Sequence, residues 1–335
     1  MFLTPVFGLV ADRIGRRRTI IPLLLIFGVA GAAIAFVNDC TQVLILRFLQ
    51  GSGASALVTP AVTLVGDIYD GAQRNAVIGV NGSTIGTGAA FYPLLGGALA
   101  AIRWSVPFLF FGVGILVGIF AFLVLDEPTT DGSMGTHESL GRLRAVSRLP
   151  SALAVFVAIF AAFFVFYGAV LTAIPLLLSD EFGLTASRIG PVLSMVSLAS
   201  ATVLSQYGRV SGWRIPPELI AIGFIAYGLS LLLVWAAPSP VYMAGSLLLF
   251  GAGFGIVMPS IDTTVITLVS DDLRAGMMGM RTSLLRLGQT LGPISFTFAA
   301  ETLFVSTVVG YRFLLVTAGI LVITAGSVGY GLIRR

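Results

Sequence analysis

Chemistry in this sequence rests on charged side chains set inside apolar runs. Arg47 stands within Val43–Gly66, Asp262 within Val241–Leu268, and Arg281, Arg286 and Glu301 within Gly276–Phe304. A charge at membrane depth costs enough to mark a functional site by default. Asp262 follows Pro259 by three residues and is placed to pair with an arginine on a neighbouring helix, while Arg286 is the best placed to line a cavity. The usual catalytic constellations are missing. His137 is the only histidine and Cys40 the only cysteine, so neither a disulfide framework nor a thiol metal cluster is expected. With no phosphate-cradling loop, zinc spacing or nucleophile elbow, the residues describe neither an enzyme nor a nucleotide-driven pump. No cofactor or metal is expected, and any work must draw on a gradient.

The elements that must position these charges are long and greasy. The chain of 335 residues is 57% hydrophobic and 10% charged, against about a quarter charged in a soluble domain. Mean hydropathy is +1.01. Apolar runs such as Ile20–Val37, Val106–Leu125, Ser151–Leu178, Pro217–Ala237 and Phe313–Ile333 approach or exceed the roughly 20 residues that cross a bilayer. Lipid offers no partner to an open backbone, so the spans must be helices in a polytopic bundle. About ten crossings are expected. All 19 basic residues are arginine and they are spread over short loops, so the net charge of +4 does not indicate nucleic-acid binding. Met1–Phe7 reads as the end of a helix and carries no signal-peptide pattern.

An internal repeat divides the chain. At an offset of 200 residues Gly8, Gly28, Gly51, Gly53, Gly79 and Gly88 fall on Gly208, Gly228, Gly251, Gly253, Gly279 and Gly288; random glycine usage gives about two such pairs. Arg74 falls on Arg274 and Pro93 on Pro293. The expected organisation is a transmembrane bundle over 1–125, a polar linker over 126–150 and a second bundle over 151–335. The second half begins near Ser151, while Met1 corresponds to about Ala201. One helix and most of a second therefore have no counterpart in the first half. Arginines gather in alternate loops, which places the linker and the C-terminus in the cytoplasm of a multi-pass cell-membrane protein.

Three motifs carry a family resemblance. Gly8-Leu9-Val10-Ala11-Asp12-Arg13-Ile14-Gly15-Arg16-Arg17-Arg18 resembles the cytoplasmic loop between helices 2 and 3 of major facilitator superfamily transporters. Arg47-Phe48-Leu49-Gln50-Gly51-Ser52-Gly53-Ala54 resembles the R-x-x-Q-G-x-G-A motif of that family. Gly88–Gly97, with Pro93, Gly96 and Gly97, resembles its antiporter motif except that Tyr92 replaces a glycine, and Gly288-Gln289-Thr290-Leu291-Gly292-Pro293 keeps part of it in the second half. In such segments small residues allow close helix contact, and a proline frees a carbonyl and kinks the helix.

The resemblance implies an all-α fold of two pseudo-symmetric six-helix halves, with the first helix and most of the second absent here. It implies a latch in which Asp12 meets the start of a late helix near Gly276–Met280, with Gly8, Arg13, Gly15 and Arg16 facing Asp67 and Asp70. It gives Arg47, with Gln50, a part in proton coupling, by bias on the protonation of a neighbouring carboxylate; Asp262 and Arg286 join the coupling and cavity set on their own depth in the apolar runs. It makes Gly88, Pro93, Gly96, Gly97, Gly288, Gly292 and Pro293 gating positions. The implied function is proton-coupled export of small apolar drugs or metabolites by a monomer in the bilayer. The alternatives are metabolite uptake by symport and a truncated, non-transporting membrane protein.

Overall fold

The computed structural model describes residues 16–68, 71–125, 149–268 and 271–333, and these form helices with no strand among them. Ten long helices follow in order: α1 Arg16–Ala33, α2 Cys40–Ile68, α3 Gly71–Ile102, α4 Val106–Val124, α5 Pro150–Asp180, α6 Ala186–Ser205, α7 Pro216–Trp235, α8 Pro240–Thr267, α9 Asp271–Thr302 and α10 Thr307–Ile333. Seven of these segments are long and apolar enough to cross a membrane. The other three, α2, α3 and α9, have the length, at 29, 32 and 32 residues. The protein is thus a multi-pass helical membrane protein.

Local chemistry sets the helix ends. Pro150, Pro216 and Pro240 open α5, α7 and α8, where a missing N–H costs nothing. Asp39 accepts the Gln42 N–H at 2.9 Å at the start of α2, as an N-cap side chain does. The α5–α6 turn is made by Gly183, whose φ of 63° is left-handed and suits only glycine without strain. Arg312 ties three ends together. Its guanidinium grips both carboxylate oxygens of Glu181, at 2.6 and 2.8 Å, and also donates to the Trp235 and Ala237 carbonyls at the end of α7.

The chain forms two compact units, residues 1–88 with 98–134, and residues 89–97 with 135–335. In the first, α1 packs on α2 and α4, and α4 exposes Leu116, Phe120 and Leu123 at helical spacing, as a lipid-facing stripe does. In the second, α7 packs on α8 and α10, α6 on α8, and α9 on α5. Its core is mainly apolar and aromatic, with Val155, Ile159, Leu177, Tyr227, Leu231, Leu247, Phe250 and Ile261 at its centre and a few buried hydroxyls such as Ser230 and Ser260 among them.

The repeat appears in these crossings. A Cβ on Gly53 would lie 2.6 Å from the Leu23 carbonyl oxygen, and one on Gly253 would lie 2.7 Å from that of Gly223. These are the same crossing, α1 on α2 and α7 on α8, two hundred residues apart. Gly28 likewise abuts the Ile115 backbone, and Gly228 meets Gly319 and Ile323. The helices α1–α4 therefore match α7–α10.

Candidate transport site

Gly8, Asp12, Arg13, Gly15 and Asp70 lie outside the described residues, as does the linker. Arg16 and Asp67 are placed on helix backbones without a described side chain.

In the first unit the site centres on Arg47. Its Nη1 donates to Gln50 Oε1 at 3.0 Å, and its guanidinium carbon stands 4.9 Å from the Phe108 ring centre and 5.9 Å from that of Phe111. The glutamine neutralises no charge, but the two rings offer it their negative faces. Gln50 is buried, and Gly31 makes its room, since a Cβ there would lie 2.6 Å from Gln50 Nε2. Sequence reasoning found Arg47 and Gln50 but not Phe108 or Phe111. Those rings arrive from α4, with no signal in their own spacing.

In the second unit Asp262 on α8 pairs with Arg281 on α9, whose side chain is only 14% exposed. Arg286 behaves differently, making no ion pair among the described residues. Its Nη1 donates to Gln289 Oε1 at 3.0 Å, and Gln289 Nε2 donates to the Tyr167 hydroxyl at 2.9 Å. This three-member ladder links α9 to α5, running from an exposed Arg286 to a half-buried Gln289 and Tyr167.

The packing behind it is set by glycine. A Cβ on Gly288 would lie 2.6 Å from the Phe160 carbonyl oxygen, and Gly292 abuts the Phe164 carbonyl and Gly168. The backbones of α5 and α9 meet there, which brings Gln289 within reach of Tyr167. Tyr167 belongs to a π-helical turn, Phe166–Ala173, and its carbonyl accepts from Thr172 Oγ1 at 2.9 Å. Such turns occur often at functional sites. Phe163 stacks on Tyr167 at 6.3 Å, Phe166 meets it edge-on at 5.5 Å, and Phe254 stands 5.7 Å from Phe163.

The faces of α9 separate cleanly. At roughly 100° per residue, Thr282, Ser283, Gln289 and Thr290 fall within about 60° of Arg286. Leu287, Leu291, Ile294 and Phe298 form a distinct exposed apolar stripe, and Gly288, Gly292 and Phe296 form the buried back. Pro293 lies on the polar side.

The Gly88–Gly97 segment runs along α3. Residues 89–97 group with the second unit, where a Cβ on Gly97 would lie 2.6 Å from the Ala186 carbonyl oxygen and Gly190 meets the Pro93 carbonyl in return. The two helices cross backbone to backbone. Gly96 faces open space.

Helices that bear charges inside, aromatic-lined polar ladders and glycine crossings define a membrane transporter of the repeat-built class. The sequence matches the Major Facilitator Superfamily over residues 1–293 and 171–335, and the chain belongs to that family. It is 33% identical over 120 residues to the multidrug transporter protein MdtP of Bacillus subtilis, a match spanning 35% of this chain and 22% of that protein. It is 25% identical over 309 residues to the bacillibactin exporter of the same organism, covering 87% of this chain and 76% of the exporter. Its fold matches a bacterial homologue of the human lysosomal transporter Spinster, in its inward-facing, unoccupied conformation. That match has a TM-score of 0.77 at 18% identity and covers 99% of this chain and 86% of the other.

Proposed function

We propose that this protein exports small, largely apolar organic molecules across the cell membrane in exchange for protons, by alternating access. The observation that carries the reading is the crossing of Gly97 and Gly190. With no side chain interlocked between them, α3 and α6 meet as two smooth backbones, a contact suited to opening and closing. Of the relatives named above, one is an exporter by its name, which supports the outward direction, and the other a multidrug transporter.

The parts take the following roles. Arg47, held by Gln50 and two rings, biases a proton site. The loop of Gly8, Asp12, Arg13, Gly15 and Arg16, with Asp67 and Asp70, latches the cytoplasmic side. Gly88, Pro93, Gly96 and Gly97, with Gly288, Gly292 and Pro293, serve the gating helices, and Asp262 and Arg286 serve the cavity. The linker and C-terminus lie in the cytoplasm, and the protein works as a monomer.

Dye accumulation in efflux-deficient cells tests the central claim. Cells expressing the protein should hold less dye than controls, a proton uncoupler should erase the difference, and Arg47→Ala should match the control. A difference that survives the uncoupler and is indifferent to Arg47→Ala overturns the proton-coupled reading.

A further inference from the structure

We infer that the Arg286–Gln289–Tyr167 ladder is the recognition element for a planar aromatic organic anion. Arg286 and Tyr167 take the anionic oxygens, and the rings about Phe163 take the planar body. This rests on reading the chain as an exporter of small organic molecules, and it names the kind of molecule.

The argument begins with the direction of the hydrogen bonds. A guanidinium has donors only, so Gln289 must turn its Oε1 toward Arg286, at 3.0 Å. Its Nε2 is then left for Tyr167, at 2.9 Å, and the phenol oxygen spends a lone pair on accepting it. Each acceptor atom in the ladder already takes one donor from within it, so donors are in excess. What remains to offer are donors: the unspent guanidinium N–H groups and the phenol O–H. A ligand that completes the set must bring acceptors.

Charge narrows the class further. Asp262 is committed to Arg281, and Arg286 makes no ion pair among the described residues. A neutral ligand that covered Arg286 would strip water from a cation without neutralising it. A carboxylate or phenolate neutralises that charge and meets the guanidinium fork with two oxygens.

The surroundings fix the body of the ligand. Phe163, Phe166, Tyr167 and Phe254 are half-buried and stand within 5.0 to 6.3 Å of one another in the ring pairs that join them. Offset and edge-on geometries of this kind extend naturally to one more flat ring. An inorganic anion or an aliphatic acid would use the ladder and waste the rings. The other hydroxyls on this face of α9 do not compete, since Thr282, Ser283 and Thr290 each donate to a carbonyl one turn back.

The experiment is calorimetric binding to the purified full-length protein, with 1-naphthoate, its neutral isostere 1-naphthamide, and acetate as probes. The wild type should bind naphthoate at least about tenfold more tightly than naphthamide, a difference typical of one charge-assisted hydrogen-bond pair, and acetate more weakly than naphthoate. Arg286→Gln should bring naphthoate down to the affinity of naphthamide, and Tyr167→Phe should remove part of the preference. If Arg286→Gln melts below the wild type, Arg286→Lys decides, because it keeps the charge and loses the fork. A several-fold loss there supports the assignment, and undiminished affinity overturns it. Equal binding of naphthoate and naphthamide by the wild type also overturns it, as does acetate binding as tightly as naphthoate. Binding needs no gradient, so the two readings fail separately. Naphthoate selectivity without uncoupler-sensitive efflux sinks export and leaves the site, whereas efflux without that selectivity sinks the site and leaves export.

Discussion

Arg47 and Arg286 are each held by a glutamine three residues on, at the same 3.0 Å from Nη1 to Oε1. The glutamine orients the guanidinium without cancelling its charge, so each arginine keeps its field for something else. At Arg47 the aromatic faces make up part of the missing solvation. A cation–π contact is worth about 0.5–2 kcal/mol, so Phe108→Leu should lower uncoupler-sensitive dye efflux several-fold while leaving expression intact. Arg47→Ala should lower it further. A different fault sits at Tyr227, which is wholly buried and stacked on Phe250 at 4.4 Å, its hydroxyl without a hydrogen-bond partner among the described residues. A buried, unsatisfied polar group costs about 1–3 kcal/mol. Tyr227→Phe should therefore raise the melting temperature of the purified protein, and a fall would show that the hydroxyl has a use.

At the scale of helices, glycines decide which backbones touch. Gly53→Ala and Gly253→Ala place a methyl against a carbonyl oxygen at 2.6 and 2.7 Å. Overpacking of this kind costs about 1–3 kcal/mol. Gly51 makes the control, because no described atom beyond its own helix lies within 4 Å of its missing Cβ and alanine is the better helix former by about 1 kcal/mol. Thermal melts should rank Gly51→Ala at or above the wild type and the other two below it. The helices themselves were legible in the sequence, since a span of roughly 20 apolar residues is a one-dimensional signal; the run Ala76–Ala101 lies inside α3 and Val43–Gly66 inside α2. The π-turn at Phe166 was not legible, and it goes with a close fit of Gly168 against Gly292 and Phe296, residues far away in the chain. For the same reason the hydrogen bond from Gln289 to Tyr167, 122 residues apart, was not legible either.

Across the whole molecule, the repeat preserves the scaffold and discards the chemistry. Two hundred residues on, Gly28 meets Gly228 and Gly53 meets Gly253, each at the matching crossing. By the same offset Arg47 meets Leu247, Gln50 meets Phe250, Arg286 answers to Gly86 and Gln289 to Ala89. Crossings must recur because both units pack the same helices, whereas a charge in lipid is costly and persists only where it is used. Each unit thus carries an arginine held by the glutamine three residues on, Arg47 by Gln50 and Arg286 by Gln289, on different helices and in different company. This argues for divided labour, with coupling at Arg47 and recognition at Arg286. The expectation is a crossed pair of defects. Arg47→Ala should bind 1-naphthoate within about twofold of the wild type, well inside the tenfold that one lost charge pair would cost, and yet lose uncoupler-sensitive efflux. Arg286→Gln should lose the preference for naphthoate over naphthamide while its remaining efflux of neutral dye still collapses with the uncoupler. If Arg47→Ala weakens naphthoate binding as much as Arg286→Gln does, the two arginines serve one site and the division fails.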